Sequence, residues 1–109
     1  MKTSYWKLQK NSDNQEIMQE AAALIRAGEV VSFPTETVYG LGADGLNPEA
    51  VAKIFAAKGR PNDNPLILHI AKKEDIAQLT TGLNANAKKL MEHFWPGPLT
   101  LIVNKSAIV

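Results

Sequence analysis

A chain of 109 residues holds at most one domain of ordinary size. Twelve Lys and Arg against eleven Asp and Glu leave a formal net charge of +1, and 45% hydrophobic with 21% charged residues is a globular balance, which excludes a disordered chain, a densely basic nucleic-acid coat and an acidic tail. The absence of cysteine excludes disulfides, zinc ribbons and thiol nucleophiles. No apolar run exceeds five residues, too short for a transmembrane helix, and Met1 to Lys10 has no apolar stretch of the secretory kind. These features read as a soluble, cytoplasmic protein.

In chain order, Ser12 or Asp13 is the expected cap of a first helix, since both Ser12…Gln15 and Asp13…Glu16 fit a capping box. Ile17, Ala21, Leu24 and Ile25 recur at helical spacing, and Gly28 stands where a C′ residue belongs. An apolar strand, Glu29 to Phe33, follows and ends at Pro34. Residues 34–47 are turn-rich. Asn47-Pro48 is an N-cap followed by a first-turn proline, Val51, Ile54 and Phe55 form the inner face of a second helix, and Gly59 ends it. Pro61 and Pro65 bracket a non-helical stretch before a strand from Leu66 to Ile70. A short helix from Glu74 to Leu79 and a longer one from Ala85 to Phe94 follow, the latter with Ala87, Leu90, Met91 and Phe94 on its core face. Trp95-Pro96-Gly97-Pro98 then turns the chain into a last strand, Leu99 to Val103, of the type buried on both faces. The order α-β-α-β-α-α-β, without repeat or linker, is an α/β sheet flanked by helices.

Three segments hold more polar chemistry than their local structure requires. Pro34-Thr35-Glu36-Thr37-Val38-Tyr39-Gly40-Leu41-Gly42 leaves the C-terminal end of a strand, where open α/β sheets bind ligands, and its glycines allow close backbone approach. A turn whose Thr and Glu satisfy local backbone groups explains the same residues. Lys58-Gly59-Arg60-Pro61-Asn62-Asp63-Asn64-Pro65 places two cations two residues apart beside a proline that favours extended chain, so both can face one way and hold a phosphate chain. The alternative is that Lys58 answers the helix dipole and Arg60 is solvated. His69 stands inside a strand among apolar residues, where a hydrogen-bonded structural histidine is the usual reading. His93, beside Phe94 and Trp95, reads as structural. No histidine pairs with another or with a carboxylate at ligand spacing, so no protein-held metal is expected. The Lys72-Lys73 and Lys88-Lys89 pairs offer contacts to RNA phosphates or are simply solvated.

Together and in this order, three segments resemble the YrdC/Sua5 family of L-threonylcarbamoyladenylate synthases. They are Phe33-Pro34-Thr35-Glu36-Thr37-Val38-Tyr39-Gly40-Leu41-Gly42, Lys58-Gly59-Arg60-Pro61-x-Asp63-Asn64-Pro65-Leu66-Ile67-x-His69-Ile70, and Phe94-Trp95-Pro96-Gly97-Pro98-Leu99-Thr100-Leu101. The resemblance runs from about residue 12 to about residue 104. It implies a twisted mixed α/β sheet of the YrdC/RibB type, flanked by helices, with a concave, positively charged groove. It implies synthesis of threonylcarbamoyl-AMP and pyrophosphate from L-threonine, bicarbonate and ATP, for the t6A modification of tRNAs that read codons starting with A, with other proteins making the transfer.

Carried over by residue, the resemblance makes Lys58 and Arg60 the grip on the ATP phosphates and the catalytic cations. Asn62 becomes a nucleotide contact, and Thr35 and His69 become L-threonine contacts. Mg²⁺ is expected to arrive on the nucleotide rather than in a protein cage. The family's domain is longer and carries a downstream Ser-x-Asn segment absent between Gly97 and Val109. Residues 1–109 are therefore expected to be the N-terminal part of a single YrdC-like domain, incomplete at the C-terminus, with little turnover alone. Two other functions share these features: the YrdC-like domain of a carbamoyltransferase, and a non-catalytic module binding double-stranded RNA or tRNA. A net charge of +1 without a basic stripe weighs against the second.

Overall fold

The computed structural model describes residues 3–9, 13–59 and 66–109. The chain forms two compact units, Met1–Asn62 and Asp63–Val109. Among the described residues, no helix is long and apolar enough to cross a membrane.

The first unit opens with helix α1, Gln15–Arg26. Its N-cap is Asn14, not Ser12 or Asp13; the Asp13 carboxylate nonetheless accepts the Gln15 amide at 2.9 Å, so the expected acid works one residue outside the cap. Ser12 lies outside the described residues. Ile17, Ala21, Leu24 and Ile25 are all half-buried, as their spacing predicts. The helix ends in a complete Schellman turn: Gly28 N–H donates to Ile25 O at 3.0 Å and Glu29 N–H to Leu24 O at 2.9 Å. Gly28 takes φ +87°, which an L side chain rarely adopts, and it is buried.

Strand β1 is Val31–Phe33, two residues shorter than its apolar run, and it pairs antiparallel with a strand the sequence did not announce, β2, Gly40–Gly42. The register is Val31 with Gly42, Ser32 with Leu41 and Phe33 with Gly40. A Cβ on Gly40 would lie 2.8 Å from the Phe33 ring, and one on Gly42 3.0 Å from it. Phe33 therefore covers both glycines, and the ring takes the space that side chains there would need.

Helix α2, Pro48–Lys58, starts on Asn47, whose Oδ1 accepts the amides of Glu49 at 3.0 Å and Ala50 at 3.3 Å. Gly59, at φ +67°, closes it by donating its N–H to Phe55 O. Among the described residues, Ala50, Ile54 and Phe55 are the buried apolar side chains of this unit. Val51 is only half-buried, because the helix turns Ala50 rather than Val51 inward.

The second unit has a 3-10 turn, Lys73–Asp75, running into helix α3, Ile76–Leu79, where one short helix was expected, and then helix α4, Ala85–Phe94. Asn84 caps α4 through Ala87 N–H at 2.8 Å. Ala87 and Met91 are buried, but Leu90 and Phe94 are 39% and 57% exposed, so the core face is narrower than the apolar spacing predicted. Leu66 to Ile70 and Leu99 to Val103, expected as strands, form neither helix nor strand among the described residues. Ile102 is fully exposed, contrary to a strand buried on both faces. What holds the C-terminal stretch is a bridge between Thr80 and Lys105. Buried Thr80 donates Oγ–H to Asn104 O at 2.7 Å, Thr81 N–H reaches the same carbonyl at 3.2 Å, and Ser106 Oγ–H donates to Gln78 O at 2.6 Å.

Candidate functional site

Thr35 sits in the exposed loop between β1 and β2. Its hydroxyl is already occupied in part: the O–H donates to Val38 O, and the oxygen accepts Thr37 N–H at 3.3 Å. This is a Ser/Thr turn, and the Thr35 oxygen also lies 3.5 Å from Thr37 Oγ1, so the loop's own groups engage the hydroxyl. The Thr35 hydroxyl thus builds the loop, as the turn reading of this segment expects. Val38 and Tyr39 point their side chains to solvent, 74% and 75% exposed. Gly40 and Gly42, expected to admit a ligand to the backbone, instead admit Phe33.

Lys58 is the last residue of α2 and is exposed. Gly59 behind it is left-handed, not extended, so the rule that residues two apart face the same way does not operate across Lys58–Gly59. Arg60 and Asn62 lie outside the described residues. Within the first unit, a second cation, Lys53 on α2, spans to the α1–β1 turn. Its Nζ donates to Gly28 O at 2.9 Å and lies 3.4 Å from Glu29 Oε1. No local sequence signal marks this bond, because its partners stand 25 positions apart.

His69 belongs to the second unit and is exposed, with Leu66, Ile67 and Leu68 exposed beside it; it is not the enclosed strand histidine that its apolar neighbours suggested. His93 Nδ1 bonds Lys89 O at 2.8 Å, one helical turn back, which is a structural role. The Trp95 indole donates Nε1–H to Leu99 O at 2.8 Å, and the half-buried ring anchors the turn into the last segment as its composition predicts. Phe94, Pro98 and Leu99 line a small apolar hollow of about 160 Å³. Among the described residues, no three His, Asp or Glu side chains group to hold a metal ion.

Thr35 and Lys58 thus stand in one unit, and His69 stands in the other. The first pair is presented on loops and helix ends held by a small core, as ligand-binding residues commonly are.

Comparison with known proteins extends this picture. The chain is 54% identical over 106 residues to the threonylcarbamoyl-AMP synthase of Bacillus subtilis, covering 94% of this chain and 31% of that protein. It is 56% identical over 89 residues to the threonylcarbamoyl-AMP synthase of Pyrococcus abyssi, covering 82% of this chain and 26% of that one. It superimposes on the crystal structure of P. abyssi Sua5 complexed with L-threonine with a TM-score of 0.84 at 50% identity, over 91% of this chain and 29% of that chain. The chain therefore spans about a third or less of the length of these relatives. The fold agrees with the α/β class read from the sequence. A family model described as telomere recombination, Sua5/YciO/YrdC, matches residues 23–109, and the chain belongs to that family.

Proposed function

We propose that this chain carries the phosphate-gripping and threonine-binding elements of a threonylcarbamoyl-AMP synthase, within one YrdC-like domain to which both units belong. The observation that carries the proposal is the 54% identity to a protein of that name, over a stretch that includes Thr35, Lys58 and His69.

The chemistry suits these residues. The amine of L-threonine adds to the carbon derived from bicarbonate, with loss of water, to give a carbamate. A carbamate oxygen then attacks the α-phosphorus of ATP, a P–O bond forms, and the bond to the β-phosphate breaks to release pyrophosphate. Both reactants are anions, so the task is neutralisation and alignment rather than strong general-base catalysis. Lys58 supplies a point charge and Arg60 a bidentate fork for the phosphates, and Mg²⁺ enters on the nucleotide. Asn62 adds an amide for the nucleotide. Thr35, on its exposed loop, contacts threonine, and exposed His69 meets the same substrate. The product serves the t6A modification of tRNA through separate transfer proteins.

The test is calorimetric titration of the folded chain with ATP·Mg²⁺, with and without L-threonine and bicarbonate. Saturable binding, tightened by threonine and weakened about tenfold or more by Lys58→Ala, is the expected result, because losing one charge-assisted contact costs more than about 1.4 kcal/mol. A folded chain that binds no ATP, or a Lys58→Ala chain that binds it as wild type does, would overturn the reading.

A further inference from the structure

Helix α2 meets the turn between α1 and β1 at two points. At its start, the Asn47 side chain caps the helix with its oxygen while its Nδ2 lies 3.2 Å from where a Cβ on Gly28 would be. Six residues on, the Lys53 ammonium donates to the Gly28 carbonyl at 2.9 Å. Six residues of helix rise about 9 Å. Both contacts fall on Gly28, so two points of the helix, six residues apart, are tied to one residue of the turn.

The turn is itself a rigid anchor. Gly28 and Glu29 donate their amides into α1, and Gly28 is buried at a positive φ. Its carbonyl is the group left over for an outside donor, and Lys53 is that donor. The neighbouring contact to Glu29 is a 3.4 Å ion pair between side chains about half exposed, of the kind that contributes little. The bond to the carbonyl is the part that specifies geometry.

From this anchor two short elements lead to the two proposed ligand contacts. The chain runs from Gly28 through β1 to Thr35, seven residues on. It also runs from Lys53 along α2 to Lys58, five residues on, and one rigid helix carries both lysines. We infer that Lys53 is a positioning residue: by holding the Gly28 carbonyl it sets the loop bearing Thr35 against the helix end bearing Lys58, and so couples the threonine contact to the phosphate contact. The inference rests on the ligand roles proposed above for Thr35 and Lys58. Lys53 itself touches neither ligand.

Titrating the folded chain with ATP·Mg²⁺, in the absence and presence of saturating L-threonine and bicarbonate, gives the factor by which threonine tightens ATP binding. In Lys53→Met the aliphatic stem is kept and the donor lost; the factor is expected to fall close to one, while the affinity for ATP alone stays within about twofold of wild type. Lys53→Arg restores a donor and most of the factor. Glu29→Gln leaves the factor unchanged, because the carbonyl and not the ion pair receives the positioning bond. A merely structural lysine would lower the melting temperature and leave the factor intact. A Lys53→Met chain that retains the wild-type factor therefore overturns the positioning role alone, and loss of the factor in Glu29→Gln but not in Lys53→Met overturns it too. A wild-type chain that binds neither ligand overturns the ligand roles and the coupling with them. Should Lys53→Met fail to fold by circular dichroism, Lys53→Ala, which also removes the donor and favours helix, is read against the same criterion.

Discussion

Gly97→Ala is a severe test of how the Trp95-Pro96-Gly97-Pro98 turn is built. A Cβ placed on Gly97 would sit 2.5 Å from the Phe94 carbonyl oxygen, about 0.9 Å short of the 3.4 Å at which ordinary contact begins. The opposing atom is backbone at the C-terminal end of α4, so no side chain can swing aside. Relief has to come from rotating the Phe94–Trp95 peptide or opening the turn. Either movement strains the Trp95 N–H bond to Met91 O at 2.9 Å and the indole bond to Leu99 O at 2.8 Å. Overpacking against an unyielding neighbour costs about 1–3 kcal/mol, and weakening one hydrogen bond adds about 0.5–1.5 kcal/mol. A total of about 1.5–4.5 kcal/mol lowers the melting temperature of a chain this size by about 7–20 °C.

Gly82→Ala is the matched control, since a Cβ there meets nothing within 4 Å and its φ is not positive. It should leave the melting temperature unchanged or raise it, since such a change stabilises by about 0.4–1 kcal/mol through the unfolded chain. Thermal melts followed by far-ultraviolet circular dichroism, with both variants side by side, decide the matter. A Gly97→Ala chain melting within about 2 °C of wild type would show that the turn yields where the geometry says it cannot.

Asn47→Ala removes the acceptor for two α2 amides and should cost about 1 kcal/mol, whereas Asn47→Asp keeps an acceptor at the positive end of the helix and should hold the wild-type melting temperature. Gly59→Ala forces a side chain into the left-handed region at φ +67° with no atom of the described residues within 4 Å of its Cβ, so its cost there is conformational, about 1–2 kcal/mol in denaturant unfolding. Thr35→Ala deletes the hydroxyl that ties Thr37 N–H and Val38 O, so the threonine concentration needed for coupled ATP binding should rise more than the ATP concentration does; Thr35→Ser should restore it. The opposite order of effects would remove Thr35 from the threonine site.

The helices were legible because their ends are chemical. Asn47-Pro48 and Gly59 bracket α2 to the residue, and Gly28 closes α1 in the left-handed turn expected of it. The strands were less so, because an apolar run states which residues prefer burial and not which chain will pair with them. Leu66 to Ile70 and Leu99 to Val103 have strand composition but form no strand among the described residues, since pairing is a long-range event that no five-residue window contains. Strand β2 was missed for the converse reason. Gly40-Leu41-Gly42 reads as a loop until Phe33 is laid over it, and that contact is between residues seven positions apart. The candidate site divides in the same way. Lys58 and Thr35 were found by residue type and local motif, whereas the bond from Lys53 to Gly28 has no local trace, and the inward turn of the Thr35 hydroxyl is a matter of rotamer.

The two readings of Lys58, helix cap or phosphate grip, describe one electrostatic arrangement. The C-terminal end of a helix carries roughly half a negative charge, so an ammonium in the last turn of α2 is favourable before any ligand arrives. The same end repels phosphate, the reverse of sites in which a helix N-terminus receives it. A phosphate chain held here therefore needs more positive charge than Lys58 alone contributes, since part of that charge is already answered by the helix. Arg60, two residues beyond, supplies the excess in the proposed site, and Mg²⁺ on the nucleotide lowers what remains to be neutralised. On this reasoning the two cations are not interchangeable copies. Lys58→Ala should weaken ATP binding and also remove a favourable helix-end charge, whereas Lys58→Gln in the presence of Arg60 should retain part of the binding through a neutral donor. Equal losses from Lys58→Gln and Lys58→Ala would mean that the charge, and not the donor, is what the phosphates require.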